Sequence, residues 1–319
     1  MALIAAMLRP GLPTFSAQTR LLVVAPHPDD ETIATGLLIQ QVRVAGGEVR
    51  ILLLTAGDNN PWPQRWLERR LWIGVAARRR WGRRRCAEML HALACLDLPE
   101  QALQPMGWPD MGVTDVLLGS HGQAASSVAD VIDTFQPNLI AMPSLNDRHP
   151  DHGSAHVLLR LALVGRSTQP RLIGYLVHGK AGRHNWVEIG GSAAQLAKKR
   201  AALEAHRSQM ALSGRRMRRL ASRPERFEGI SGELERFQAA LPWQPAAWLR
   251  PWLHLSVVGL GGTQTWRWRD APLKRDPAGR FHLCPVLAST ASPSPCFVRL
   301  ALSFPALWIF DRWGWHELG

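Results

Sequence analysis

The segment Leu21-Leu22-Val23-Val24-Ala25 is apolar at every position and runs into Pro26, so neither of its faces can be left in water. Such a run, closed by a proline, is the pattern of a strand buried on both faces of a parallel sheet. Thr32 to Val44 follows with Ile33, Leu37, Gln40 and Val44 at helical spacing, and Gly46-Gly47 stops it. Val49-Arg50-Ile51-Leu52-Leu53-Leu54 is then a second buried strand. Leu21 to Leu54 reads as a βαβ unit, which commits the chain to an α/β architecture.

The alternation continues. Arg83 to Leu96 is an amphipathic helix through Ala87, Leu90, Leu93, Ala94 and Leu96, and Leu103 to Trp108 is a short strand. Ser126 to Phe135 is helical with Pro137 beyond its end, and Leu139-Ile140-Ala141-Met142 is another buried strand. Ser154 to Val164 is a helix, Leu172 to Val177 a fifth strand, and Ser192 to Met210 one long helix. Together they predict a three-layer, Rossmann-like fold with a mainly parallel sheet and right-handed crossovers. The connection Thr55 to Ala77, rich in Asn, Pro, Trp and Arg, is too long for a tight link and reads as a functional loop, partly helical.

The character changes near residue 240. Leu253 to Val258, Thr263 to Arg269, Arg280 to Leu283, Phe297 to Phe304 and Leu307 to Phe310 are short segments parted by Gly, Pro and Ser. They predict a small, mostly β appendage. The chain of 319 residues, 46% of them hydrophobic, therefore divides into 1–235 and 240–319.

His27-Pro28-Asp29-Asp30-Glu31 stands where the first strand ends and its helix begins, the edge at which open α/β sheets bind ligands. One imidazole and two carboxylates in four residues can ligate a zinc ion and still spare a carboxylate as base. Taken alone, the motif also fits Asp29 or Asp30 as a helix cap. His149-Pro150-Asp151-His152 is a second cluster, between the Leu139 to Met142 strand and the next helix. If those two strands are neighbours, the loops face each other, and the third ligand of a catalytic zinc is supplied with a position left for water.

With these motifs the sequence resembles the PIG-L or LmbE-like zinc-dependent deacetylases, which act on N-acetylglucosamine units. The resemblance rests on Ala25-Pro26-His27-Pro28-Asp29-Asp30-Glu31 and His149-Pro150-Asp151-His152, and extends loosely over residues 20 to 225. Arg85-x-x-Glu88, Trp108-Pro109-Asp110 and the Ser208-Gln209 pair within Lys199 to Gln209 support it. It implies His27, Asp30 and His152 as ligands of Zn²⁺ or another divalent transition metal, and Asp29 as general base. It further implies that His149 steadies the oxyanion or protonates the leaving amine, that Asp151 holds that imidazole, and that Arg85 and Asp110 bind substrate. Arg83 and Arg84 could stand in for Arg85. Where the family often has paired glycines after the first motif, this chain has Ala34-Thr35-Gly36, and residues 240 to 319 lie outside the resemblance.

The expected partner is an amino sugar, anionic or lipid-linked, and the formal net charge of +13 fits an acidic ligand. Nine arginines and one acid, Glu68, lie between Arg65 and Arg85, with Trp66, Trp72 and Trp81 among them and Trp62 just before. This loop could close over a sugar, touch an anionic membrane, or be a solvated basic helix whose tryptophans pack on the core. No nucleic-acid motif accompanies the charge. An amidase acting on another N-acyl conjugate and a basic nucleic-acid or membrane-binding protein are the competing functions. The absence of G-x-G-x-x-G after the first strand argues against a dinucleotide-binding enzyme.

Cys86, Cys95, Cys284 and Cys296 have no C-x-x-C spacing and read as reduced thiols. The Met1 to Met7 run is too short to span a bilayer, and its first arginine follows the apolar stretch, unlike a signal peptide. The expected location is the cytoplasm, with contact at the inner membrane face. His178 reads as structural, Arg215 to Arg226 as a solvated basic helix and Gly261-Gly262 as a turn.

Overall fold

The computed structural model describes residues 13–166, 169–179, 186–231, 240–284, 294–303 and 313–318. Of the described residues, those up to Asp110, with 135–144 and 170–230, form one compact unit. The described residues of 111–134, 145–169 and 231–319 form a second.

The first unit is built on a seven-stranded sheet of order β3-β2-β1-β4-β5-β7-β6. Its strands are β1 (Arg20–Ala25), β2 (Glu48–Thr55), β3 (Leu103–Trp108), β4 (Leu139–Pro143), β5 (Arg171–Tyr175), β6 (Trp186–Ile189) and β7 (Glu225–Ile230). The first five are parallel; β7 runs antiparallel to β5 and β6. Leu21 pairs with Val49 on one side and Leu139 on the other, so β1 and β4 are adjoining parallel strands.

The unbroken apolar runs are explained by burial on both faces. Leu21, Val23, Ile51, Leu53, Leu139 and Ala141 enter one core with residues of α1 (Asp30–Val44), α3 (Val75–Cys95), α6 (Ala193–Ala205) and α7 (Arg207–Ala221). Leu22, Val24, Leu52, Leu54, Ile140 and Met142 point the other way and are equally buried. The α/β architecture with a mainly parallel sheet is as the sequence predicts.

Local differences have physical causes. The long connection contains α2 (Pro61–Glu68), started by Asn60, whose side chain accepts from the Trp62 N–H, and α3 begins at Val75, upstream of its first apolar stripe. The single helix expected over Ser192 to Met210 is two, broken at His206. The basic helix expected over Arg215 to Arg226 ends at Ala221; Pro224 cannot continue it, and β7 takes Glu225 onward.

In the second unit, α4 (Val113–Phe135) and α5 (Pro150–Ala162) accompany a four-stranded antiparallel sheet of order β13-β12-β8-β9 and a small β10-β11 hairpin. The strands are β8 (Leu253–Gly259), β9 (Gly262–Arg267), β10 (Leu273–Arg275), β11 (Phe281–Leu283), β12 (Phe297–Leu302) and β13 (Trp315–Glu317). Leu253, Leu255, Val257, Val298 and Leu300 make its core; the turn between β8 and β9 is Leu260-Gly261, one residue earlier than expected, and Gly262 opens β9. The strand expected at Leu307 to Phe310 lies outside the described residues.

The opposite face of this sheet lies along α5. Trp315 Nε1 donates to Ser154 Oγ at 2.9 Å, and Arg160 forms a two-pronged pair with Glu317 at 2.8 and 3.1 Å. A Cβ on Gly153 would stand 3.0 Å from Trp315 Cδ1, a contact tight enough that the indole would have to give by a few tenths of an ångström. The mostly β region thus braces the helix that follows the second histidine motif.

Among the described residues, no helix is long and apolar enough to cross a membrane. All four cysteines are unpaired.

Candidate functional site

The first motif leaves the C-terminal end of β1. Pro26 O accepts from both the N–H and the Oγ1 of Thr55, which ties this loop to the end of β2. Asp30 folds back so that its Oδ2 accepts from the His27 N–H at 2.9 Å and lies 3.4 Å from His27 Nδ1. His27 Nε2 faces Asp110 Oδ1 at 3.3 Å.

Asp29 has φ of 118°, a left-handed conformation that costs a non-glycine residue about 1–3 kcal/mol. In this posture its carbonyl accepts from the N–H groups of Thr32 and Ile33, starting α1, and its carboxylate meets Arg85 at 3.3 Å. Arg85 is buried and also donates to Gly57 O at 2.6 Å and Pro28 O at 2.7 Å. Gly57 has φ of 62°, and a Cβ there would collide with the guanidinium.

Burial pushes the Asp29 carboxyl up; Arg85 opposes this, the charges of Asp30 and Glu31 add to it, and the result is about 6. That is a useful value for a proton acceptor near neutral pH. Burial also acts to raise Asp110, but the bond to His27, the charges of His27 and Arg85 and the Asn59 N–H outweigh it. Asp110 is held below the usual carboxylate range.

Behind the loop lies a buried group that sequence reasoning missed. Glu31 accepts from the Asp29 N–H at 2.9 Å and from Thr32 Oγ1 at 2.7 Å, and lies 3.0 Å from His206 Nε2. His206 occupies the break between α6 and α7. Burial pulls its pKa down, yet the charge and hydrogen bond of Glu31, with Asp29 nearby, leave it raised. Glu88 accepts the Ser208 N–H through both oxygens, at 3.1 and 3.0 Å, which links two stretches that the sequence singled out separately.

The second motif belongs to the second unit. His149 caps α5, with Pro150 in the first turn, and its Nδ1 accepts from the Asp151 N–H at 3.3 Å. Asp147, another missed residue, serves both histidines: its Oδ1 accepts from the His149 N–H at 3.0 Å and its Oδ2 faces His152 Nδ1 at 3.2 Å. The His149 and His152 rings are 5.1 Å apart, and His152 is fully buried. The carboxylate of Asp151 accepts from the N–H groups of Met111 and Val113 at 2.8 and 3.2 Å, fixing the start of α4. A cleft beside His149 is lined by Asp147, Arg148, Arg299, Trp313 and Trp315.

Within the first unit, then, His27, Asp29, Asp30, Arg85 and Asp110 come together; within the second, His149, Asp151 and His152 do. The first motif follows β1 directly, and the second begins six residues after β4, its parallel neighbour. His178 sits in the bend after β5.

Residues 22–163 match the family described as PIG-L: GlcNAc-PI de-N-acetylase. The matched stretch contains both histidine motifs, Arg85 and Asp110, while His206 and the β8–β13 region lie beyond it.

The chain is also similar to curated proteins. The 1D-myo-inositol 2-acetamido-2-deoxy-alpha-D-glucopyranoside deacetylase of Mycobacterium sp. (strain JLS) is 30% identical over 175 residues, covering 51% of this chain and 56% of that protein. The protein of the same name from Nocardia farcinica is 31% identical over 150 residues, covering 43% and 49%. The chain therefore spans about half the length of the curated relatives it matches.

Two solved structures share the fold. A conserved protein of Thermus thermophilus aligns over 72% of this chain and 100% of its own, with TM-score 0.50 and 24% identity. The N,N'-diacetylchitobiose deacetylase of Pyrococcus horikoshii aligns over 66% and 84%, with TM-score 0.52 and 17% identity.

Proposed function

We propose that this chain is a metal-dependent hydrolase that removes the N-acetyl group from an N-acetylglucosamine-type amino sugar, lipid- or phosphate-linked. The observation that carries the reading is positional. Two His/Asp motifs follow the C-terminal ends of adjoining parallel strands, β1 and β4, inside the stretch that matches the family described as PIG-L: GlcNAc-PI de-N-acetylase. The names of the curated relatives, deacetylases of an acetamido sugar, support the substrate class.

His27, Asp30 and His152 would hold the metal. Two imidazoles and a carboxylate are the donor set of a catalytic zinc site, and they would accept another divalent transition metal too. Asp147 against the second nitrogen of His152 fits this use, because metal-binding histidines are commonly oriented by a carboxylate. A bound Zn²⁺ supplies Lewis acidity and a water whose pKa falls to about 7.

The remaining steps belong to the protein. Asp29 accepts the proton of the attacking water at its carboxylate, held by Arg85 and by its strained backbone. His149 steadies the oxyanion or returns a proton to the leaving amine, with Asp151 and Asp147 fixing the turn that carries it. Asp110 and Arg85 would meet the substrate, and the guanidinium and indole groups of Arg299 and Trp313 offer a further wall for a sugar beside His149. We take residues 1–235 as the catalytic region and 240–319 as its brace. Four unpaired cysteines suit a reducing compartment, and the cytoplasm, at the inner membrane face, is where we place the enzyme.

The experiment is acetate release from a set of N-acetylglucosamine conjugates, with and without chelator. The reading expects release that stops on chelation, and an Asp29→Asn enzyme that keeps its metal but loses nearly all activity. Release untouched by chelation, or full activity in Asp29→Asn, rejects it.

A further inference from the structure

The tryptophans of the arginine-rich segment do not share one fate. Trp81 is fully buried, whereas Trp62, Trp66 and Trp72 are 66%, 67% and 91% exposed, with Leu71 at 84% and Val75 at 68%. A basic helix whose tryptophans pack on the core would have buried them. Instead α2 is held by its opposite side: Pro63 and Gln64 are buried, and Gln64 Nε2 donates to Ala77 O at 2.8 Å. Trp62 and Trp66, four residues apart, share the outward face.

The charge around them has one sign. Arg69, Arg70, Arg78, Arg79, Arg80, Arg83 and Arg84 are exposed, and Arg65 stacks on Trp62 at 5.1 Å. Glu68 is the one acid between Arg65 and Arg85, and it is engaged by Arg80 at 2.7 Å. α7 packs beside α2 and adds exposed Arg215, Arg216, Arg219 and Leu212.

We propose that α2, its connection to α3 and the exposed side of α7 dock on an anionic lipid bilayer, with Trp62, Trp66, Leu71, Trp72 and Val75 entering the headgroup zone and the arginines pairing with lipid phosphates. Charge complementarity and side-chain chemistry choose this occupant. Indole rings belong at the membrane–water boundary, guanidinium groups grip phosphate in two-pronged fashion, and aliphatic side chains such as Leu71 and Val75 gain from lipid what nucleic acid cannot give. Large apolar side chains clustered in water are otherwise a cost that a surface rarely carries without use.

The placement also fits. The segment leaves the same sheet edge as β1's histidine motif, and its first turn is tied to the site: the Asn59 N–H and Nδ2 donate to Asp110 at 2.6 and 3.2 Å, while Asp110 faces His27. Docking there sets that edge against the headgroups. The inference goes beyond deacetylation, and its test uses no amino sugar, so its failure leaves the deacetylase reading standing.

The test is co-sedimentation of the full chain with vesicles of phosphatidylcholine alone or mixed with phosphatidylglycerol, beside a binding measurement on short duplex DNA. The protein is expected to pellet with the anionic vesicles, not the neutral ones. Replacing Trp62, Trp66 and Trp72 together by Ser, a change of exposed side chains whose fold is checked by circular dichroism, is expected to weaken binding at least ~10-fold. Arg69→Gln, Arg70→Gln and Arg79→Gln are each expected to weaken it roughly fivefold. Failure to pellet with anionic vesicles, undiminished binding by the tryptophan variant, or tighter binding to DNA than to the vesicles overturns the proposal.

Discussion

The guanidinium of Arg85 reaches the carboxylate of Asp29 at 3.3 Å while donating to the carbonyls of Pro28 and Gly57. An arginine engaged with three groups of its own chain fixes the posture of Asp29, the proposed base.

Arg85→Met is therefore expected to lower kcat by on the order of a hundredfold with a small change in KM, since misplacement of a catalytic group by about 1 Å costs that much. Arg85→Lys should recover part of the loss. Steady-state kinetics decide: a large rise in KM with kcat preserved would make Arg85 a substrate grip only.

Lys199 and Glu225 form a fully buried ion pair, in which Lys199 also donates to Ile33 O and Glu225 accepts the Leu37 and Leu38 N–H groups of α1. Removing one partner strands a charge in the core. Lys199→Met is expected to cost about 3–5 kcal/mol in urea unfolding, and the double change with Glu225→Leu to regain much of it. A single variant as stable as the parent would show that the pair does not hold α1.

The raised pKa of His206 links stability to pH. A group whose folded pKa lies above its unfolded value of about 6.5 contributes fully below that value and loses the contribution as pH rises through the folded pKa. Tm should fall as pH increases from about 6.5 upward, and His206→Gln should flatten that part of the curve. An unchanged slope in the variant contradicts the assignment.

Trp315 braces α5 through Ser154 and Gly153. Trp315→Ala is expected to cost about 3–5 kcal/mol in chemical denaturation. If stability is unchanged, the mostly β region is not the support that the packing describes.

Much of this was legible in the chain. Leu21 to Leu54 could be read because a parallel strand buried on both faces allows no polar residue, and the two histidine motifs because each is local and ends a strand. The break at His206 could not be read: helix-forming residues continue through it, and its partner Glu31 lies 175 positions away. β7 was hidden by Glu225, Arg226 and Glu228, whose charges are answered by Lys199, Glu188 and Ser144 from distant segments. Asp147 and Asn59 escaped for a similar reason, since their roles appear only when their long-range partners are in place. The fate of the tryptophans in the arginine-rich segment was undecidable from spacing, and burial separated Trp81 from the rest.

Metal content of the purified chain and of two single variants tests the central claim most directly, because His27 and His152 are assigned to one ion although they come from loops after different strands. The account predicts about one equivalent of divalent metal in the parent and near-complete loss in both His27→Ala and His152→Ala, the number of open ligand positions in a three-residue site leaving no slack. Full metal occupancy in either variant, or none in the parent after zinc loading, would contradict it.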